Sequence, residues 1–295
     1  MAKFVPDVKT QRWVVIAPGR LARPSQVREV EKPGQVIKKG EYFWRADCPF
    51  CFGNESMTPP EVYRWGKKYP TDPAWLVRVV PNKYPITDTH EVIIHSPDHK
   101  LDFSELPLSQ VEIILKVYRE RYRSLTNGGQ VLIFNNKGIE SGESLVHPHS
   151  QVAVFPRQIR LDVLPLEPIR NIVSENTYFI TFCPDFSQWP YETWIAAKRC
   201  CQAAGLPAEA LAKAGCTFGE VTDEELSDLA KILQEILQKL QKLFPDLSYN
   251  FYIAPGGCWY LRIIPRLTER AGLELGTGLH VNTIDPAKAA EDLKK

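Results

Sequence analysis

The chain has 295 residues, which is enough for about two domains of ordinary size. Hydrophobic residues make up 44% of it and charged residues 24%, a composition typical of a globular protein and unlike that of a disordered chain. The formal net charge of +1 leaves no overall field that would attract nucleic acid or an acidic membrane surface, so an anionic ligand must be bound by local cations.

In chain order, several stretches of the first half have the composition and bounding turn residues of β-strands. They are "RWVVIAPG", residues 76–80 within "AWLVRVVPNKYP", "HEVIIHSP", "QVLIFNNKG" and "VAVF". Residues 25–45 are charged and polar, which predicts an exposed excursion. Between Ser109 and Leu125, apolar side chains recur every three or four residues, which predicts an amphipathic helix.

The proline-rich stretch "VLPLEPIR" at 163–170 predicts a domain boundary, with domains at 1–165 and 166–295. Beyond it, "YFITFCP", "YETWIAAK", "YNFYIAP" and "YLRIIPR" predict strands. A helix is predicted from Thr222 to Phe244, because Thr222 and Glu225 form a capping box ahead of a long apolar face. The order strand, strand, long helix, strand, strand echoes the first half. We therefore expect an α+β fold of two related halves, each an antiparallel sheet with a long packed helix.

The cysteines and the first residues indicate the compartment. There are seven cysteines, and the C-x-x-C pair Cys48 and Cys51 suits a metal or a redox pair better than a disulfide framework. The opening "MAKFVPDVKTQRWVVIAPGR" lacks the apolar run of a signal peptide, and no stretch approaches the roughly 20 uncharged apolar residues of a membrane span. We expect a reducing, cytoplasmic location with no membrane or nucleic-acid partner.

A candidate metal site combines Cys48 and Cys51 with the distant His99 and His147. Two thiolates and two neutral imidazoles would neutralise Zn²⁺ and close its tetrahedral shell, so such a site would be structural. A pair of reduced cysteines in a turn is an equally open alternative. A redox pair is less favoured, because neither flank has the strand and helix of thioredoxin-like proteins.

A second candidate is the stretch His147-Pro-His149-Ser-Gln151. In a strand, side chains alternate between faces, so residues 147, 149 and 151 are predicted to share one face. A solvated outer face of an edge strand is the alternative, but the adjoining apolar "VAVF" and the proline weaken it. A histidine whose far nitrogen is held by a hydrogen bond presents its near nitrogen as a nucleophile, for which phosphorus is a plausible target.

Phosphate contacts are predicted on loops. Arg20 and Arg23 could bind phosphate oxygens, and the turn "NNKGIESGES" offers Asn136, Gly138 and Ser144 before the histidine strand. Each of these signals is weak alone, because a loop arginine is commonly a solvated charge.

These motifs, taken together and in order, resemble the galactose-1-phosphate uridylyltransferases, a branch of the histidine triad superfamily. The residues that carry the resemblance are "RWVVIAPGRLARPSQ", "CPFC", "VVPNKYP", "HEVIIHSPDH", "NNKGIESGESLVHPHSQ" and "PYETWIAAK". The match runs from about Arg12 to Glu291 and is densest through Gln151.

The resemblance implies a homodimer whose chains each have two histidine-triad-like halves. It implies that Zn²⁺, or iron, binds to Cys48, Cys51, His99 and His147. It also implies that His149 attacks the α-phosphorus of a nucleotide sugar, and that a sugar 1-phosphate then accepts the nucleotide in ping-pong kinetics. Gln151 occupies the position of the third histidine of the hydrolases. Since an amide cannot supply a proton, this favours transfer over hydrolysis.

By motif position, the resemblance also implies contacts to the nucleotide sugar. Arg20 and Arg23 match a loop that reaches phosphates from the partner subunit, and Asn82 matches a ribose contact. Phosphate contacts match Asn136, Ser144 and Gln151, and apolar walls of the base pocket match Phe50 and Tyr84.

The chain also departs from typical members. The family's second half often carries another metal on a glutamate, matched by Glu192, and on histidines. Only His280 remains beyond His149, so we predict that this second site is absent. The stretches "GLELGTGLHVN" and "CPFCFGNE", and Lys83 after Asn82, are closer to the ADP-glucose phosphorylases.

The leading hypothesis is a UDP-glucose:hexose-1-phosphate uridylyltransferase that acts through a uridylylated His149. The nearest alternative keeps the mechanism but moves an adenylyl group, with phosphate as acceptor. Two further alternatives are a nucleotide hydrolase, which Gln151 disfavours, and a zinc-dependent binding module without catalysis, in which replacing His149 would leave ligand binding intact.

Overall fold

The structure is a computed structural model that describes residues 3–6, 13–22, 36–66, 75–159, 161, 164, 166, 168–202 and 217–295. The chain forms two compact units. The first comprises Met1–Asn135 and Glu143–Asp162, and the second comprises Asn136–Gly142 and Val163–Lys295. The domain boundary at 165/166 stays a prediction. Among helices in the described ranges, none combines the length and hydropathy that a membrane crossing requires.

The first unit contains two small antiparallel strand pairs and a larger sheet. Its strands in the described ranges are β1 (Lys3–Pro6), β2 (Trp13–Ile16), β3 (Val36–Lys39), β4 (Tyr42–Arg45), β5 (Tyr63–Gly66), β6 (Trp75–Pro81), β7 (His90–Ile94), β8 (Gln130–Lys137) and β9 (His149–Phe155). β1 pairs with β2, and β3 pairs with β4. The larger sheet has the antiparallel order β5-β6-β7-β9-β8.

The long helix of this unit, α1 (Leu108–Leu125), lies between β7 and β8 in the chain and packs on β6. Its buried side chains include Val111, Ile114, Leu115 and Tyr118, at the spacing that places them on one face. The predicted helix is confirmed and begins one residue earlier than expected.

The second unit repeats this plan. Its strands are β10 (Ile172–Glu175), β11 (Phe179–Phe182), β12 (Thr193–Ala197), β13 (Tyr249–Ile253) and β14 (Tyr260–Pro265), and its described helices are α2 (Lys198–Gln202), α3 (Asp223–Leu243), α4 (Gly272–Thr277) and α5 (Pro286–Lys294). The sheet order is β10-β11-β12-β14-β13, again antiparallel, with α3 between β12 and β13 in the chain. Each strand therefore has a counterpart in the first unit, which confirms two related α+β halves.

The predicted capping box fixes the start of α3. The Thr222 hydroxyl accepts from the Glu225 backbone N–H at 3.2 Å, and the Glu225 carboxylate accepts from the Thr222 N–H at 2.7 Å. Such reciprocal bonds satisfy two backbone donors that the helix leaves unpaired. The helix ends at Leu243, one residue before the predicted end.

The prediction of an exposed excursion at 25–45 is partly wrong. Residues 23–35 lie outside the described residues, but 36–45 form the β3–β4 pair. Half-buried Tyr42 and Trp44 pack against a buried cluster that contains Cys48 and Cys51. Residues 37–41 are exposed as predicted, whereas the aromatic side chains of β4 make 42–45 half-buried.

Candidate active site and metal centre

Four buried side chains form a cluster that could hold a metal ion. The ligand atoms of Cys48, Cys51, His99 and His147 all lie within 4.8 Å of one another. The Cys51 sulfur is 3.4 Å from His99 Nδ1 and 3.6 Å from His147 Nδ1, and the Cys48 sulfur is 3.7 Å from His147 Nδ1. The structure therefore brings together the four residues that the spacing left far apart.

Local hydrogen bonds shape the C-x-x-C turn. The Cys51 backbone N–H donates to the Cys48 carbonyl at 3.3 Å, and the Arg45 N–H donates to the Cys51 sulfur at 3.3 Å. The Asn54 amide donates to the Cys48 carbonyl at 2.8 Å. These bonds point both sulfur atoms to the same side of the turn, where the histidines meet them.

The two histidines reach the cluster from separate segments. His147 Nε2 donates to the Ser96 carbonyl at 2.9 Å, which turns Nδ1 towards the sulfurs. The His99 backbone N–H donates to the Phe43 carbonyl at 2.9 Å, so β4 holds the histidine segment in place. A fixed far nitrogen is the usual way in which proteins orient a metal-binding imidazole.

The two thiols of the cluster have pKa values that are shifted in opposite directions. A hydrogen bond from the Cys51 thiol, with a further contribution from His147, lowers the pKa of Cys48 far below its ordinary value. The same hydrogen bond to Cys48, together with burial, raises the pKa of Cys51. The lowered pKa of Cys48 favours its thiolate, which is the form that binds metals.

His149 is the first residue of β9, directly beyond the cluster. Its Nδ1 donates to the backbone carbonyl of His147 at 2.9 Å. In the neutral ring this places the proton on Nδ1 and the lone pair on Nε2. The backbone carbonyl of His147, a residue of the candidate metal cluster, therefore fixes the tautomer of the candidate nucleophile.

The predicted shared face needs one correction. His149 and Gln151 both line the same cavity, as strand alternation predicts. His147 lies just before the strand, and its ring turns to the cysteines instead of to the cavity. The Phe50 ring packs edge-on against both histidine rings, with centroids 6.0 Å from His147 and 5.3 Å from His149.

The cavity beside His149 has a volume of about 270 Å³. Met57, Val80 and Val92 give it apolar walls, and the exposed Lys83 lies at its edge. Many of the predicted site residues line it. They are Phe50, Asn82, Tyr84, Ser144, His149 and Gln151.

Gln151 is held by a residue that the sequence analysis missed, the buried His90. The Ile86 backbone N–H donates to His90 Nδ1 at 3.1 Å, so the ring proton lies on Nε2. His90 Nε2 then donates to Gln151 Oε1 at 3.0 Å, and Asn82 Nδ2 donates to the same oxygen at 3.3 Å. With its oxygen engaged, the Gln151 amide has its nitrogen at the opposite end, as a donor. The only local signal was a histidine at the start of an apolar strand.

A buried polar network supports the opposite face of β9. The Asn135 amide donates to the His149 carbonyl at 3.0 Å and to the Ser150 hydroxyl at 3.1 Å. The Ser150 hydroxyl also bonds to His95 Nε2 at 2.7 Å and to the Tyr118 hydroxyl of α1. This network fixes the backbone from which His149 projects.

Other predicted residues lie elsewhere or outside the described ranges. Arg20, in the 3₁₀ turn Pro18–Ala22, donates to the Tyr84 carbonyl at 2.7 Å, and Arg23 lies outside the described residues. Asn136, one of the last two residues of β8, and Gly138 belong to the second unit, whereas the rest of β8 belongs to the first. Asn136 Oδ1 accepts from Asn250 at 2.8 Å.

Gly138 is needed for a close approach within the second unit. Its φ is +85°, and a Cβ there would overlap the Ser248 side chain. The glycine thus has a packing role whatever its contribution to phosphate binding, which stays a prediction.

Glu192, which matches the family's second metal site, is fully paired with protein groups. Arg262 donates to its carboxylate twice, Nε to Oε1 at 2.7 Å and Nη2 to Oε2 at 2.8 Å. Trp194 Nε1 donates to Oε1 at 2.7 Å, and the Gln188 backbone N–H donates to Oε2 at 2.9 Å. A guanidinium thus occupies the place beside this carboxylate where a cation would bind.

Comparison with known proteins shows which enzymes this fold and this site resemble. Residues 84–154, which include His90, His149 and Gln151, match the family model described as galactose-1-phosphate uridyl transferase, N-terminal domain. The resemblance seen in the motifs is therefore confirmed, and the chain is similar to the galactose-1-phosphate uridylyltransferases.

Two curated relatives match nearly the whole chain. ADP-glucose phosphorylase of Arabidopsis thaliana is 26% identical over 98% of this chain and 91% of its own length. Galactose-1-phosphate uridylyltransferase of Thermotoga maritima is 25% identical over 97% of this chain and 96% of its own length.

Solved structures show the same fold. The crystal structure of an ADP-glucose phosphorylase from Arabidopsis thaliana with bound ADP-glucose has a TM-score of 0.70 at 24% identity, and covers 100% of this chain and 99% of that chain. A uridylyltransferase structure gives a TM-score of 0.71 at 24% identity, with 100% and 97% coverage.

Proposed function

We propose that the chain is a nucleotidyltransferase that moves a uridylyl group from UDP-glucose to a hexose 1-phosphate, with His149 as the nucleophile. The observation that carries the proposal is the hydrogen bond from His149 Nδ1 to the His147 carbonyl, which leaves a lone pair on Nε2. Similarity to a galactose-1-phosphate uridylyltransferase over 97% of the chain supports the substrate class.

The reaction would run in two displacements. His149 Nε2 attacks the α-phosphorus, a P–N bond forms, and the bond to the sugar phosphate oxygen breaks, so the sugar 1-phosphate leaves with the electron pair. An oxygen of the second sugar 1-phosphate then attacks the same phosphorus, and His149 leaves as neutral imidazole. Both leaving group and acceptor are phosphates, which are ionised at neutral pH, so neither displacement needs a proton from the protein.

Gln151 would position the phosphoryl group. Its amide oxygen is engaged by His90 and Asn82, so its nitrogen end can donate to a phosphoryl oxygen. An amide has no proton to give to a poor leaving group and does not act as a base towards water. The intermediate would therefore persist until a phosphate acceptor arrives, which favours transfer over hydrolysis.

Further contacts to the nucleotide sugar are part of the proposal. Phe50 and Tyr84 would line the base pocket, Asn82 would contact the ribose, and Ser144 would contact phosphate; all line the cavity. The remaining proposed phosphate contacts are Arg20, Arg23, Asn136 and Gly138.

We propose that the metal of the cluster is zinc, with iron as the alternative. A tetrahedral zinc ion with bonds of about 2.3 Å to sulfur and about 2.0–2.1 Å to nitrogen separates those atoms by about 3.5 Å. The sulfur–nitrogen distances of 3.4, 3.6 and 3.7 Å in the cluster fit this geometry. Four protein ligands leave no open position, so the ion would hold the C-x-x-C turn to the two histidine segments.

An adenylyl transferase of the ADP-glucose phosphorylase type is the second candidate. The Arabidopsis thaliana relative with that name is 26% identical over 98% of the chain. Lys83 at the cavity edge is a cation beside the proposed ribose contact Asn82. In this candidate inorganic phosphate would accept the adenylyl group from His149.

We also propose that the enzyme is a cytoplasmic homodimer. The support is the resemblance, in which the Arg20 and Arg23 loop serves the partner's phosphates. Light scattering during size-exclusion chromatography tests this, and a monomeric mass across the working concentration range would contradict it.

The deciding experiment is to incubate the full chain with UDP-glucose or ADP-glucose without acceptor, and to measure intact mass. We expect a uridylyl adduct from UDP-glucose that disappears on adding galactose 1-phosphate. An adduct from ADP-glucose alone would select the second candidate. The matched control is His280→Ala, at an exposed histidine of the second unit. If the adduct survives in His149→Ala, or forms with neither nucleotide sugar, the proposal is wrong.

A further inference from the structure

A second cavity lies entirely within the second unit and has no part in the proposed transfer. Its volume is about 570 Å³, in the range of small-molecule pockets. Three arginines line it, Arg262, Arg266 and Arg270, together with Trp189, Ile264 and Glu269. Whether these three guanidinium groups can bind a ligand depends on which of their charges are already paired within the protein.

One of the three charges is neutralised inside the protein. Arg262 is bound on two sides by the Glu192 carboxylate. Its Nη2 also donates to Gln188 Oε1 at 3.2 Å, which fixes the Gln188 amide with its nitrogen at the other end. Arg262 is therefore a fixed part of the cavity lining, and its charge is already neutralised by Glu192.

Within the described ranges, Arg266 and Arg270 have no such carboxylate partner. Their guanidinium carbons lie 4.4 and 5.0 Å from the centroid of the Trp189 ring, so both stack on that indole. Neither makes an ion pair with a carboxylate in the part of the chain that the structure describes. Stacking uses the flat face of a guanidinium and leaves its N–H edge available for hydrogen bonds.

The hydrogen-bonding capacity of this pair is unmet. Arg266 Nε is buried and has no hydrogen-bond partner among the residues that the structure describes. Burial, and next the charge of Arg270, lowers the pKa of Arg266, while Glu140 and Glu269 offset only part of that effect. An anion bound in the cavity would offset this repulsion between the two guanidinium groups.

We propose that this cavity is a binding site for the phosphoryl group of a small molecule. Two stacked arginines present the paired N–H groups that match phosphate oxygens in a bidentate manner. The Trp189 ring and Ile264 provide an apolar surface for the part of the ligand that follows the phosphoryl group. Glu269 can accept a hydrogen bond from a hydroxyl group of the ligand.

The test is calorimetric titration of the full chain with inorganic phosphate and, separately, with glucose 1-phosphate. The variants are Arg270→Gln, which changes an exposed residue, and Arg266→Gln. The matched control is Arg170→Gln, because Arg170 is an exposed arginine of the same unit that pairs with Asp185. Near-ultraviolet circular dichroism checks that each variant is folded.

We expect one binding event to weaken by about tenfold or more in Arg270→Gln and in Arg266→Gln, while Arg170→Gln overlays the parent. Tighter binding of glucose 1-phosphate identifies an organic phosphate as the ligand, and tighter binding of inorganic phosphate identifies the free ion. Overlaying isotherms in all variants would overturn the proposal. So would equal competition by chloride at matched ionic strength, which indicates charge screening alone. None of the variants changes a residue that lines the cavity of His149, so binding of a sugar phosphate there stays constant and the change in the isotherm reports on the second-unit cavity.

Discussion

The two units place different side-chain pairs at equivalent positions of the same topology. In the first unit Val92 on β7 lies opposite Gln151 on β9, and in the second Trp194 on β12 lies opposite Arg262 on β14. Two residues before Val92 is His90, and two residues before Trp194 is Glu192. The pair His90–Gln151 thus corresponds to the pair Glu192–Arg262.

The comparison shows that the same pair of strand positions can hold either two neutral side chains or an ion pair. In the first unit a neutral imidazole fixes a neutral amide and leaves a donor at its far end. In the second a carboxylate and a guanidinium neutralise each other. The position of His149 corresponds to Tyr260, whose ring stacks on Trp194 at 4.1 Å between centroids. The first unit thus has an imidazole with a lone pair at this position, and the second unit has a tyrosine ring that packs in the core.

The largest expected effect comes from replacing His149, the residue whose chemistry differs most from that of its counterpart in the second unit. His149→Ala removes the only proposed nucleophile, and we expect transfer to fall by about 10⁴-fold or more while the metal content stays unchanged. The measurement is the initial rate of sugar-nucleotide exchange, with metal determined by mass spectrometry.

Its control is Tyr260→Phe at the corresponding position of the second unit. That change removes only a hydroxyl that accepts from the Leu164 backbone N–H at 3.1 Å, so transfer is expected to persist. Equal losses in both variants would show that the first unit has no special chemical role.

The next largest effect is on stability, through the candidate metal cluster of Cys48, Cys51, His99 and His147, which has no counterpart among the described residues of the second unit. His147→Ala is expected to lose the bound metal and about 3–5 kcal/mol of stability, with a fall in Tm of about 10 °C. Calorimetry and metal analysis measure this. Unchanged metal content together with an unchanged Tm would contradict the ligand assignment.

The third prediction concerns the contribution of the Glu192–Arg262 ion pair to the free energy of unfolding. Arg262→Met leaves the Glu192 carboxylate buried without its counter-charge, although Trp194 and the Gln188 backbone still donate to it, and the loss is expected to cost about 3–5 kcal/mol. Denaturant unfolding measures the loss, and adding Glu192→Gln should recover part of it. If the double variant is no more stable than Arg262→Met, the carboxylate is not the source of the cost.

The local parts of this molecule are predictable from sequence, whereas its long-range pairs are not. Helices α1 and α3 follow from apolar spacing and from the Thr222–Glu225 capping box. The candidate metal ligands and the candidate nucleophile could be identified from their residue types and from the resemblance to a known family. The pairs His90–Gln151 and Glu192–Arg262 join residues that are 61 and 70 positions apart. No periodicity encodes such contacts, because they depend on which strands become neighbours.

The smallest predicted effect is at His90, and it separates positioning from chemistry. His90→Ala removes one of the two donors to the Gln151 oxygen, so the amide can rotate and present its oxygen to the phosphoryl group. We expect kcat to fall by about 10- to 100-fold with little change in KM. The covalent adduct should still form, because His149 is intact.

His90→Gln tests the hydrogen bond itself. A glutamine amide can donate to the Gln151 oxygen, so this variant should recover part of the lost kcat, whereas a purely structural role would depend on the volume and shape of the imidazole. The double variant with Gln151→Ala completes the comparison, since His90 should no longer matter once the amide is gone. Additive losses in kcat would mean that His90 acts through another residue, and the orientation of Gln151 would then rest on Asn82 alone.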